Sequence, residues 1–168
     1  MSLPEKRKAL NCYILTVSDT RTDETDKSGN LMRELLEGAG HQVAGKDIVR
    51  DDIAKIQEKI RAASGDAAID AILTNGGTGV SYRDVTIEAI QPLLDKEMPG
   101  FGEVFRTLSY YEDIGSGVIM SRAIAGIANH TPVFSTPGSS GAVKLAMNKL
   151  ILKEIEHAVH EAQKDLHT

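Results

Sequence analysis

The chain has 168 residues, 41% of them hydrophobic and 26% charged, enough for one domain with a substantial core and too few for two. A net charge of −5 and the lack of any Trp argue against a nucleic-acid binder, which would carry a basic face or aromatic stacking platforms. No apolar run reaches bilayer length, MSLPEKRKAL has no signal-peptide core, and Cys12 is the only cysteine, so a cytoplasmic protein with no membrane partner and no internal disulfide is expected.

Residues 1–10 are expected to form a flexible N-terminal segment and residues 11–168 a single domain. NCYILTVS (11–18) is a short β-rich apolar run and reads as a strand buried on both faces. After the polar stretch SDTRTDETDK, Ser28 is placed to cap a helix running to about Glu37, with Leu31, Leu35 and Leu36 inward. Residues 41–49 read as a weaker strand. Ile53, Ile56 and Ile60 then mark a helix at helical spacing, and IDAILTN (69–75) is the next strand.

A helix from Asp84 or Thr86 to Leu94 follows. Another starts near Pro99, with Phe101, Val104, Phe105 and Leu108 forming its apolar stripe. Residues 123–136 read as a hairpin turning at Asn129-His130, and one long helix closes the chain. Alternating strands and helices imply a mostly parallel sheet with one antiparallel hairpin strand, covered by helices on both faces. In such an α/β fold ligands bind at the carboxyl ends of strands. The polar exits at Ser18-Asp19, at residues 50–52, at residues 74–84 and at residues 137–141 therefore carry the search for a site.

In LTNGGTGVSYRDVT (73–86), Gly76, Gly77 and Gly79 permit positive φ and close approach to backbone N–H groups, and Thr78 adds a hydroxyl. The order of residues fits neither a P-loop nor a dinucleotide fingerprint, and a plain strand-to-helix turn is the simpler alternative. Asp84 reads either as a helix cap or as a carboxylate holding the cation of a bound phosphate. Asp51 and Asp52 offer a second carboxylate, or a solvated loop and cap. Pro137, Gly138, Ser139 and Ser140 open a helix and read either as an anion site or as a turn with a Ser N-cap. His157 and His160 have metal-compatible spacing but read as a solvated helix face.

ILTVSDTR, DKSG, AGH, TNGGTGVSYRDVTIEAI, MPGFGEVFR, SRAIAG and PGSSGAVKLAM follow one another in this order. In that respect the chain resembles the MoaB/MogA molybdenum-cofactor biosynthesis family over about residues 12–155, and the MoaB branch most. The resemblance implies a three-layer α/β/α molybdopterin-binding domain and adenylyl transfer from Mg-ATP to the terminal phosphate of molybdopterin, with release of pyrophosphate. It implies Asp84 and Asp51 as catalytic, Mg²⁺-holding carboxylates. It further implies Ser18, Gly76, Gly77, Thr78, Gly79, Pro137, Gly138, Ser139 and Ser140 as ligand-binding residues. A homotrimer or homohexamer, and a handover to a downstream molybdenum-insertion protein, are implied as well. A non-catalytic molybdopterin carrier or an assembly subunit is the competing reading, and the sequence assigns no role to Arg122 or Lys144.

Overall fold

The structure, a computed structural model, describes residues 8–167. Its elements in chain order begin with β1 (Asn11–Val17), α1 (Lys27–Gly38), β2 (Gln42–Val49), α2 (Ile53–Ser64), β3 (Ala71–Asn75) and α3 (Thr86–Ile90). They continue with β4 (Lys96–Glu97), α4 (Pro99–Glu112), β5 (Ile124–Ala128), β6 (Thr131–Thr136), α5 (Ser140–Ala146) and α6 (Leu152–Gln163). The six strands form one sheet in the order β2-β1-β3-β6-β5-β4. β2, β1, β3 and β6 run parallel, and β5 is antiparallel to both its neighbours. This is the three-layer α/β/α arrangement with one reversed hairpin strand.

Strand alternation builds the two cores. Successive side chains leave a strand on opposite faces. Cys12 and Ile14 of β1 accordingly join Met32, Leu36, Phe105, Val143 and Ile155 on one side. Tyr13, Leu15 and Val17 join Ile56, Ile60 and Ile90 on the other. Each fully buried Leu or Ile contributes roughly 1.5–3 kcal/mol. Burial pushes the Cys12 thiol up to about 12, with Asp70 adding to the effect, so it stays protonated and is a core residue. The hairpin turns at Asn129 and His130, whose φ values of 47° and 62° are those of a type I′ turn.

Several local expectations are corrected. α1 begins at Lys27 and is capped by Asp26, whose carboxylate accepts from the Gly29 N–H at 3.0 Å; Ser28 lies inside the helix and is buried. The helix after the glycine loop stops at Ile90 and continues as a 3₁₀ turn, Gln91–Leu93, around Pro92. Val104 is exposed and Gly102 and Ser109 are buried in its place, so the α4 stripe is narrower than expected. The closing helix is interrupted by a π-helical turn, Met147–Ile151. The two-residue β4 had no sequence signal. Of the expected N-terminal segment, residues 1–7 lie outside the described residues, and Leu10 is buried with its N–H donating to His41 Nδ1 at 3.1 Å. Among the described residues no helix is long and apolar enough to cross a membrane.

Candidate active site

The carboxyl ends of β1, β3 and β6 open into one cleft of about 420 Å³. Its lining includes Ser18, Asp19 and Arg21 after β1, Asp51 after β2, Gly76, Gly77, Thr78, Gly79 and Asp84 after β3, and Pro137 and Gly138 after β6. Four sequence-distant exits thus meet where the strand rule places a ligand.

The glycine loop has a specific backbone arrangement. Gly76 and Gly77 have φ of +96° and +70°, which residues with a Cβ rarely adopt. The Gly76 N–H continues the sheet to Thr136 O at 3.0 Å. Four successive carbonyls, those of residues 76 to 79, are then taken up on the side away from the cleft. Thr86 donates its hydroxyl to Gly76 O at 2.8 Å and its N–H to Gly77 O at 3.0 Å. Arg122 Nε donates to Thr78 O and to Gly79 O, each at 3.1 Å, and its Nη2 donates to Gly79 O at 2.8 Å. In a planar trans peptide the next residue's N–H points opposite to the carbonyl. The N–H groups of Gly77, Thr78, Gly79 and Val80 consequently face away from Thr86 and Arg122, and they have no acceptor among the described residues. Consecutive free amides of this kind form an anion-binding concavity.

Acidic groups share the cleft. Burial first, then the negative charges of Asp19 and Asp84, hold the Asp51 carboxyl above its ordinary value, while Arg83 pulls the other way. Asp19 Oδ1 accepts from the Asp51 N–H at 3.1 Å, and Arg83 grips Asp19 with contacts of 2.8 to 3.0 Å. Asp84 Oδ2 accepts from the Ser81 N–H at 3.1 Å, closing a turn; α3 starts two residues later without a side-chain cap, so the helix-cap reading does not hold. Among the described residues no group of three or more His, Cys, Asp or Glu side chains is set to hold a metal ion. Asp51 and Asp84, both half-buried at the cleft, are nonetheless a donor set that suits Mg²⁺, which takes one or two carboxylates and completes its shell with phosphate oxygens and water.

Not every expected ligand faces the cleft. Asp52 caps α2 by accepting from the Lys55 N–H at 3.0 Å. Ser139 caps α5, its hydroxyl accepting from the Ala142 N–H at 3.2 Å, and both Ser139 and Ser140 stand outside the lining. Lys144 is exposed one turn further on. Ser18 lines the cleft, with its hydroxyl oxygen accepting from the Thr20 and Arg21 N–H groups at 3.2 and 3.1 Å. His157 lies beside Glu154 and Glu161 on α6, away from the strand exits.

Three residues that shape the site received no role from the sequence: Asp19, Arg21 and Arg122. Arg21 Nη2 donates to Gly138 O at 3.0 Å and its Nη1 reaches Ser28, so it ties the β6 exit to α1. Beneath it Asn75 is fully buried, receiving the Ser28 hydroxyl proton at 2.9 Å and donating to Thr16 Oγ1 at 3.0 Å. Partners this far apart in sequence leave no local pattern.

Residues 13–157 match the family model described as "Probable molybdopterin binding domain", a span that contains every cleft residue named above. The chain belongs to this molybdopterin-binding domain family. Molybdenum cofactor biosynthesis protein B of Bacillus subtilis (strain 168) is 63% identical over 156 residues, covering 93% of this chain and 92% of that protein. A crystal structure of molybdenum cofactor biosynthesis protein B superposes with a TM-score of 0.92 at 56% identity, over 95% of this chain and 99% of that one. The tungsten cofactor synthesizing protein MoaB from Pyrococcus furiosus superposes with a TM-score of 0.82 at 38% identity, over 94% and 99% of the two chains. The molybdopterin-binding domain here is therefore of the MoaB/MogA kind, as the motif order implied.

Proposed function

We propose that this chain acts in molybdenum-cofactor biosynthesis as a molybdopterin adenylyltransferase. A terminal phosphate oxygen of molybdopterin forms a bond to the α-phosphorus of ATP, the bond to the bridging oxygen breaks, and pyrophosphate leaves. The observation that carries this reading is the row of four acceptor-free amides, at Gly77, Thr78, Gly79 and Val80, on the loop that lines the cleft together with Asp51 and Asp84. Its relatives' names supply the pathway, and the cleft's chemistry suits two phosphate-bearing substrates.

A phosphate nucleophile is already anionic, so the reaction asks for charge screening and alignment more than for a general base. The loop amides bind phosphate oxygens and keep them aligned without moving during the reaction. Asp51 and Asp84 would hold Mg²⁺, which when bound supplies the positive charge that lets two polyanions approach. Arg83 brings a further cation to the cleft's mouth, and Arg21 fixes the opposite wall at Gly138.

Assembly as a homotrimer or homohexamer belongs to the same proposal. It is supported by the exposed apolar side chains of Tyr110, Tyr111, Ile114, Ile119 and Met120, an apolar concentration that an isolated monomer would leave in water. Transfer of product to a downstream molybdenum-insertion protein completes it.

The deciding experiment mixes the purified chain with ATP, magnesium and molybdopterin and measures pyrophosphate. Release that requires both substrates is expected. Molybdopterin binding without pyrophosphate release would leave a carrier.

A further inference from the structure

The free amides of the glycine loop are held outward through the four carbonyls behind them. Thr86 fixes only the first two carbonyls of the four, and both of its contacts come from the residue that starts α3. The second pair, Thr78 O and Gly79 O, is held entirely by a side chain 43 and 44 residues away. That side chain is Arg122, in the segment just before β5. Its Nη2 also reaches Asp84 O at 3.3 Å, so one guanidinium touches both ends of the turn that carries Asp84.

Arg122 is itself fixed. Glu88 on α3 accepts from Nη1 at 2.5 Å and from Nη2 at 3.0 Å, the paired geometry in which a planar guanidinium is most strictly oriented. The neighbouring cleft lined by Arg122 is a different one, shared with Gln91, Met98 and Ile119, so the guanidinium stands behind the loop and not in the substrate cleft.

We infer that Arg122, aligned by Glu88, is a positioning residue that turns the Gly79 and Val80 amides toward the bound phosphate and sets the backbone at Asp84. It acts through the loop and touches neither substrate. The inference rests on the adenylyl-transfer reading for its consequence, though not for its geometry. Lysine would not substitute, because a single ammonium cannot present the fork that spans three carbonyls and a carboxylate. Left without Arg122, the Thr78–Gly79 and Gly79–Val80 peptides would be free to rotate, and a loop that must be ordered on binding binds more weakly.

The test compares the full chain with R122Q and E88Q by backbone NMR relaxation, and by calorimetry with magnesium and ATP as the probe. In the wild type all four loop amides are expected to show order parameters near ~0.85, the rigid-backbone value. In R122Q the Gly79 and Val80 values fall toward ~0.6 while Gly77 and Thr78, still held by Thr86, stay high. Affinity for the probe falls about tenfold or more. E88Q gives the same pattern with a smaller amplitude, and it carries the test if R122Q does not fold. Uniform order in the variants overturns the inference, as does a loosened loop that binds the probe as tightly as before. A wild-type chain that binds no ATP overturns the adenylyl-transfer reading, and the relaxation pattern then decides the role of Arg122 alone.

Discussion

Arg83 spans the mouth of the cleft to Asp19, 64 residues away, with Nε 3.0 Å from Oδ2 and Nη2 2.9 Å from Oδ1. The Asp51 amide and this guanidinium hold the Asp19 carboxyl below its ordinary value. The pair joins the β1 exit to the loop that carries Asp84.

Arg83→Met is expected to weaken Mg-ATP about tenfold, because the released Asp19 adds uncompensated negative charge where phosphates must enter. Stability should hardly change, since water screens an exposed ion pair such as this one. Calorimetric titration beside a thermal melt checks both halves. Unaltered ATP affinity would remove Arg83 from the binding site.

Asp84→Asn keeps an oxygen that can still accept from the Ser81 N–H, so the turn and the fold should survive. Loss of the charge is expected to cut adenylyl transfer by more than about tenfold, at least about 1.4 kcal/mol of transition-state stabilisation. Pyrophosphate release at saturating substrates is the readout. A variant as fast as the wild type would end the metal-holding role.

Beneath the cleft, Asp26 is fully buried and receives the Lys46 ammonium at 2.7 Å, the Thr16 hydroxyl at 2.8 Å and the Gly29 amide at 3.0 Å. Burial pushes its carboxyl up, but these partners together outweigh that effect and leave it below its ordinary value. A depressed folded value means that the stabilisation is complete above the unfolded value and is lost as pH falls through the folded one. Asp26→Asn should therefore cost about 3–5 kcal/mol at neutral pH by stranding the buried Lys46. The gap to the wild type should narrow as pH drops below about 4, which urea unfolding across pH would show.

The fold was readable because hydrophobic period marks element type, and the four strand exits were readable because glycines and carboxylates cluster there. What escaped was set by partners far away in the chain. Ser28 looked like a cap because its neighbours are polar, yet Asn75, 47 residues on, claims its hydroxyl, and Asp26 caps instead. Asn75, at the end of β3, is a buried hub that ties Ser28 to Thr16. Arg122 lies in SRAIAG, one of the stretches that carry the resemblance, but only the folded loop reveals its four carbonyl contacts and a paired carboxylate.

The start of α5 is where sequence and structure diverge most usefully. The sequence offered Ser139 and Ser140 as phosphate ligands, while the structure uses Ser139 as the cap and lines the cleft only as far as Gly138. The helix start already has an anion beside it: a methyl placed on Gly141 would lie 3.0 Å from the Asp113 carboxylate. Ser139→Asp preserves the cap, because Asp and Ser are near-equal in that position. The added charge should then change affinity for molybdopterin and for Mg-ATP by less than about threefold, roughly 0.7 kcal/mol. Titrating both ligands against the variant measures this directly. A tenfold loss confined to molybdopterin would instead place its phosphate at the α5 start, and the binding surface would have to extend past Gly138.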